Sequence, residues 1–150
     1  MARDMLSCIA LYQPKKEVNI GGCLRASYIY GVNLVIIQGL SSMGHPSDPQ
    51  KAYRHLPVLA GVTDLFEHIP YACVPVAVEL VESAESLVSF KHPKNATYIF
   101  GPEDGSIPEK TLRRCSSVVK IPTKYCMNLA ATVNVVLYDR MAKLGEATHG

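Results

Sequence analysis

The chain lacks a C-x-x-C pair, a G-x-G-x-x-G turn, a phosphate-binding G-x-x-x-x-G-K loop and any apolar run long enough to span a bilayer. Each absence excludes a class. Without the glycine fingerprint a dinucleotide oxidoreductase is not expected, and without the P-loop neither is a nucleotide triphosphatase. The five cysteines (Cys8, Cys23, Cys73, Cys115, Cys126) are odd in number and sit mostly in apolar or helical segments. They read as reduced thiols, with no metal set and no disulfide framework. The longest apolar runs, "VNLVII" and "VPVAV", have strand length, so no membrane association is expected. "MARDMLSCIA" carries an acidic residue and no cleavable signal pattern, so a cytoplasmic protein is expected. Charge of one sign is scarcely in excess: 15 Lys and Arg against 13 Asp and Glu give +2. That balance permits a nucleic-acid partner only if basic residues gather on one face, with Lys15, Lys16, Lys51, Arg54, Arg113 and Arg114 as candidates. There is no repeat, low-complexity tract or linker, which predicts a single domain over 1–150 with one core.

What is present alternates between strand and helix. "SCIALYQ" predicts a strand, followed by a Gly-containing turn and a helix over "CLRASYIYG"; "NLVIIQG" predicts the second strand. From Gly39 to Gly61 the chain turns polar and irregular, and the loop from Ser41 to His55 is long enough to suggest a role in substrate contact. "VTDLFEHI" predicts a short helix capped by Thr63 or Asp64, "ACVPVAVEL" a strand and "ESAESLVSF" another short helix. "ATYIFG" is a strand, "IPEKTLRRC" a helix, "SSVVKIP" the last strand. The final helix carries Leu129, Val133, Val136, Leu137 and Met141 as one apolar stripe and ends near Gly145. Continuous Val, Ile and Leu strands separated by helices predict an α/β fold, a parallel sheet flanked by helices on both faces. In such sheets ligands bind beyond the carboxyl ends of the strands.

Three segments at such ends carry chemistry. In "NIGGCLRASYIYG", paired glycines allow close backbone approach, and Asn19 and Arg25 flank them, the arginine offering a planar fork suited to phosphate. In "YIFGPEDGSIPE" a buried strand runs into Gly101, Glu103, Asp104 and Gly105. In "VVKIPTKYCMNL" a strand ends at Ile121-Pro122, and Cys126, Met127 and Asn128 stand at a helix start whose free N–H groups can bind a polar ligand. Taken alone, Asn128 could equally be a plain N-cap.

Together the three segments, in this order and spacing, resemble the motifs of the SpoU/TrmH-like family of SPOUT RNA methyltransferases. The resemblance implies a C-terminal deep trefoil knot, S-adenosylmethionine as cofactor, and a homodimer that completes the RNA site. Because the chain holds little beyond the catalytic domain, it is similar to the minimal members that methylate the ribose 2′-oxygen of tRNA. By motif, Asn19, Arg25 and Glu103 would serve catalysis at the ribose and its phosphate. Gly101, Glu103, Gly105, Ile121, Cys126, Met127, Asn128 and Ala130 would surround the cofactor, with Val78 and Glu79 on its adenosine side. The family usually has Ser where Cys126 stands, and a thiol is a weaker hydrogen-bonding group. That departure keeps open the alternative of a non-catalytic RNA-binding protein with the same fold. The dimer would use the last helix, where Ala130, Ala131, Asn134 and Tyr138 lie off the apolar stripe.

Overall fold

A computed structural model describes residues 5–39 and 54–145. In chain order these form β1 (Ser7–Tyr12), α1 (Glu17–Ile29), β2 (Leu34–Gln38), β3 (Val58–Val62), a 3-10 turn (Leu65–His68), β4 (Val74–Val78), β5 (Glu85–Ser86), β6 (Ala96–Phe100), α2 (Glu109–Leu112), β7 (Ser117–Lys120) and α3 (Leu129–Arg140), which runs on into a widened π turn (Met141–Gly145). The strands make one seven-stranded sheet in the order β3-β2-β1-β6-β4-β7-β5. Every pairing is parallel. The α/β fold with helices on both faces is as the strand composition requires.

Alternation along the strands divides the core in two. Ile9, Leu11, Val35, Ile37, Val76, Val78, Tyr98, Phe100 and Val119 face α1 and α3, which contribute Ile20, Cys23, Leu24, Leu129, Val133, Val136 and Leu137. The opposite residues Ala10, Ile36, Ala77 and Ile99 pack under Leu65 of the 3-10 turn and Ile107. All five residues of β6 are buried, since it lies mid-sheet with both faces covered. Register brings Val78, Phe100 and Val119 level, so β4, β6 and β7 end together.

Four local expectations change. The glycines at 21 and 22 lie inside α1, which begins at Glu17. A Cβ on Gly22 would stand 2.7 Å from the Ala130 Cβ, so the missing side chain serves the close crossing of α1 and α3. Val58–Val62, within the segment read as irregular, is the edge strand β3, half exposed and paired to β2. The stretch "ESAESLVSF" is not a helix: Ser86 Oγ accepts from the Val88 N–H at 3.2 Å, and Leu87 N donates to Lys120 O at 2.8 Å. Those side-chain and sheet-edge bonds compete with helical ones. Helix α2 spans only Glu109–Leu112. The Asp64 cap does form, its carboxylate accepting from the Phe66 N–H at 3.0 Å. Of the Ser41–His55 loop, all but Arg54 and His55 lies outside the described residues.

At the far end of α3 the apolar stripe gives way to a polar lock. Met141 is exposed and Arg140 is buried. The Arg140 guanidinium donates to Pro93 O at 2.7 Å, to Tyr98 Oη at 3.0 Å, to Leu6 O at 3.4 Å and to Lys94 O. His92, buried beside it, has Nε2 2.6 Å from Asp139 Oδ2 and Nδ1 2.7 Å from Tyr98 Oη. Asp139 as a carboxylate only accepts, so His92 carries its proton on Nε2 and Tyr98 donates to Nδ1. Tyr98 oxygen then accepts from Arg140, and every group is satisfied with the imidazole neutral. Burial favours that neutral form and pushes the His92 pKa below its usual value, against the opposing pull of Asp139.

Candidate active site

Beyond the level ends of β4, β6 and β7 lies a cleft of about 660 Å³, counting the part open to solvent. Its walls come from the three strand ends and the loops that follow: Val78, Glu79 and Leu80 after β4, Phe100 to Glu103 and Gly105 after β6, Ile121 and Thr123 after β7, then Cys126, Met127, Leu129 and Thr132. Such a site, lined by apolar side chains with a few placed polar groups, has the character of a small-molecule pocket.

Close packing fixes the cleft wall. A Cβ on Gly101 would meet Ile107 Cγ1 at 3.0 Å and Ile107 N at 3.2 Å. Glycine is needed here for space, since its backbone is not left-handed. Glu79 braces the same wall, accepting from Ile107 N at 2.8 Å and Leu80 N at 3.2 Å.

At the cleft margin the three sequence segments are joined by hydrogen bonds. Asn128 Nδ2 donates to Asn19 Oδ1 at 3.0 Å, and Asn19 Nδ2 donates to Glu103 Oε2 at 2.9 Å. Glu103 also accepts from the N–H groups of Lys15 at 3.0 Å and Lys16 at 2.7 Å, at the start of α1. Partial burial alone would raise its pKa, but the bonds from Asn19, Lys15 and Lys16 outweigh that and hold it below the usual range. Asp104 is likewise lowered, chiefly by its hydrogen bond with Lys15, whose Nζ is 2.9 Å away.

Asn128 has both roles. Its Oδ1 caps α3 by accepting from Ala131 N at 3.2 Å while its Nδ2 reaches Asn19. Neither it nor Asn19 lines the cleft: Asn19 is buried, Asn128 is exposed beside the opening, and Ala130 faces α1. Val78, Glu79, Gly101, Glu103, Gly105, Ile121, Cys126 and Met127 do line it. Leu80, Phe100, Pro102, Thr123, Leu129 and Thr132 also line it and were not anticipated; Leu80, Phe100 and Pro102 adjoin named positions, whereas Thr132, one turn beyond Asn128, could have been found from helix periodicity. Arg25 is not brought to the cleft of its own chain. It lies almost two turns beyond Asn19, about 9 Å along α1, exposed and with no hydrogen bond or ion pair among the described residues. Cys126 is an exposed free thiol. Among the described residues no cluster of His, Cys, Asp or Glu could hold a metal, and no helix is long and apolar enough to cross a membrane.

Solved structures share this architecture. A structure of the 2-OH methylation of C/U34 on tRNA superposes with a TM-score of 0.80 at 22% identity, covering 94% of this chain and 92% of that one. The A. aeolicus TrmH/SpoU tRNA modifying enzyme gives 0.84 at 15% identity, covering 98% and 82%. An AdoMet-bound rRNA methyltransferase from Sinorhizobium meliloti gives 0.79 at 19% identity; the chain is covered to 93% but spans only 57% of that protein. At these identities the likeness establishes the fold. No curated protein sequence matches significantly. The sequence model of the SpoU rRNA Methylase family, however, matches residues 7–138, through all three segments that meet at the cleft, and the chain belongs to that family.

Proposed function

We propose that this protein is an S-adenosylmethionine-dependent methyltransferase that modifies the 2′-oxygen of a ribose in tRNA, acting as a homodimer in the cytoplasm. The observation that carries the reading is the chain Asn128–Asn19–Glu103, which draws three distant segments onto one cleft beyond the strand ends. A near-complete match in length with the tRNA 2-OH methylation structure supports the substrate, and the AdoMet-bound neighbour supports the cofactor. The reading includes the knotted C-terminal segment that the family resemblance implies.

The cleft suits the cofactor chemically. Leu80, Ile121, Met127 and Leu129 offer apolar surface, and the carboxylates of Glu79 and Glu103 suit a ligand with two positive centres. When bound, S-adenosylmethionine supplies a methyl already activated by its sulfonium, so the protein's task is orientation and charge management. Glu103 is a poor base, because its oxygens are committed to Asn19, Lys15 and Lys16. Arg25 cannot act as a base either, since a guanidinium stays protonated in proteins. Its role is to clamp a phosphate and lower the pKa of the neighbouring hydroxyl, with the proton passing to phosphate or water. Being remote from its own cleft, Arg25 serves the cleft of a second copy.

Exposed apolar side chains on α1 and at the end of α3 support a dimer. Val18 and Ile29 on α1, Tyr138 on α3 and Met141 just past its end are large apolar side chains left exposed, and the two helices pack together. Ala130 is excluded from that face by its contact with Gly22, while Ala131, Asn134 and Tyr138 remain exposed. The deciding experiment is incubation with S-adenosylmethionine and tRNA, followed by nucleoside analysis. A 2′-O-methylated nucleoside is expected; methylation confined to a base refutes the ribose assignment. Binding of cofactor and RNA without turnover would instead favour the non-catalytic reading.

A further inference from the structure

The geometry points to Tyr125 as a stacking platform for a base of the RNA substrate, with Lys124 beside it to meet a phosphate. The inference rests on the cleft being a methyl-transfer site and goes beyond it by naming how the nucleotide is held. Tyr125 sits between Thr123 and Cys126, both of which line the cleft, yet its own side chain is 73% exposed. Tyr28, Tyr71 and Tyr138 are also exposed. Tyr28 and Tyr138 belong to the faces of α1 and α3, and Tyr71 lies before β4, at the amino end of the strands and away from the cleft. Among the described residues only Tyr125 stands on a cleft loop.

Its backbone is braced while its ring is exposed. Thr123 N donates to Ile121 O at 2.7 Å, and Thr123 Oγ1 donates to Tyr125 O at 2.8 Å. Three residues on, Asn128 anchors the loop to Asn19 and caps α3. An exposed aromatic on a preorganised loop loses little entropy when a flat partner lands on it. The Lys124 ammonium lies 5.6 Å from the ring centroid, a position from which it reaches a backbone phosphate flanking a stacked base. Base–aromatic stacking tolerates any base, so this contact supplies affinity and placement without dictating sequence.

The test is direct binding of the full-length protein to an unstructured oligoribonucleotide, measured apart from turnover, with tRNA methylation assayed in parallel. Tyr125→Ala should weaken RNA binding about five- to a hundredfold, while Tyr125→Phe stays within twofold of wild type. S-adenosylmethionine affinity by calorimetry should be unchanged in both, and Lys124→Gln should reduce the salt dependence of RNA binding by about one phosphate contact. Equal RNA affinity in wild type and Tyr125→Ala overturns the proposal, as does a loss of cofactor affinity or of dimer in place of RNA affinity. A wild type that binds RNA through Tyr125 but never methylates it would leave the platform standing and refute the enzymatic reading instead.

Discussion

Asn19 and Asn128 are 109 residues apart in the chain and 3.0 Å apart in the fold, amide to amide, and Asn19 passes the connection on to Glu103. An amide suits the middle place because it donates on one side and accepts on the other. Asn19 is 93% buried by that arrangement, being 7% exposed.

Asn19→Ala should therefore cost about 1–3 kcal/mol of stability, as one bond to the Glu103 carboxylate and one to the Asn128 amide are lost together. Asn19→Asp should cost more at neutral pH, because its oxygen would face Glu103 Oε2 where a donor stood. Two such carboxylates raise each other's pKa, so this extra penalty is present at high pH and fades as pH falls. Urea titrations of both variants at pH 7.5 and pH 5 provide the check.

Gly22→Ala should destabilise by about 1–3 kcal/mol, despite alanine's better helix propensity, because the new methyl would press on the Ala130 Cβ at 2.7 Å. Ala130→Gly should relieve the clash. A double variant less destabilised than the sum of the two singles, measured by thermal unfolding, identifies the contact as the cause.

Arg25→Ala should abolish methyl transfer and leave S-adenosylmethionine affinity within a few-fold. Arg25→Lys should rescue poorly, since an ammonium cannot reproduce the bidentate fork. If Arg25 works on the partner's cleft, mixing Arg25→Ala with a cleft-blocked Gly101→Val variant should restore activity, because one composite site in each mixed dimer is whole. Unrestored activity in a verified mixed dimer would place Arg25 on its own chain's cleft.

The buried His92 makes stability depend on pH. Its folded pKa lies below the ordinary 6.5, so the unfolded chain binds the proton first as pH falls. Stability contributed by the neutral ring is full above about pH 6.5 and declines as pH drops below that value. Denaturant midpoints at pH 7.5 and 5.5 should differ more for wild type than for His92→Gln.

Sequence showed some of this and hid the rest for physical reasons. Strands β1, β2, β4, β6 and β7 were legible because each holds a short, largely apolar run. Strand β3 was not, because "VLAGV" is a half-exposed edge. The glycines of α1 looked like a turn because their purpose, room for Ala130, lies on another helix. Cleft residues were mostly found by motif, yet Asn128 caps α3 and bonds Asn19 while Ala130 packs on α1, a distinction that only packing reveals. The Asn19–Glu103 bond likewise left no trace in local spacing.

Arg140 has a consequence for how the chain is assembled. One guanidinium grips Leu6 just before the first strand and Pro93 and Lys94 just before the central one, from the end of the last helix. The contact to Leu6 closes a loop of 134 residues, so these bonds have their partners only when the sheet is already built. Contacts of such long range slow folding. They also mean that neither terminus can fray independently at this point, since releasing α3 strands the carbonyls that order the starts of β1 and β6. Arg140 thus ties the last helix to the starts of two strands at once.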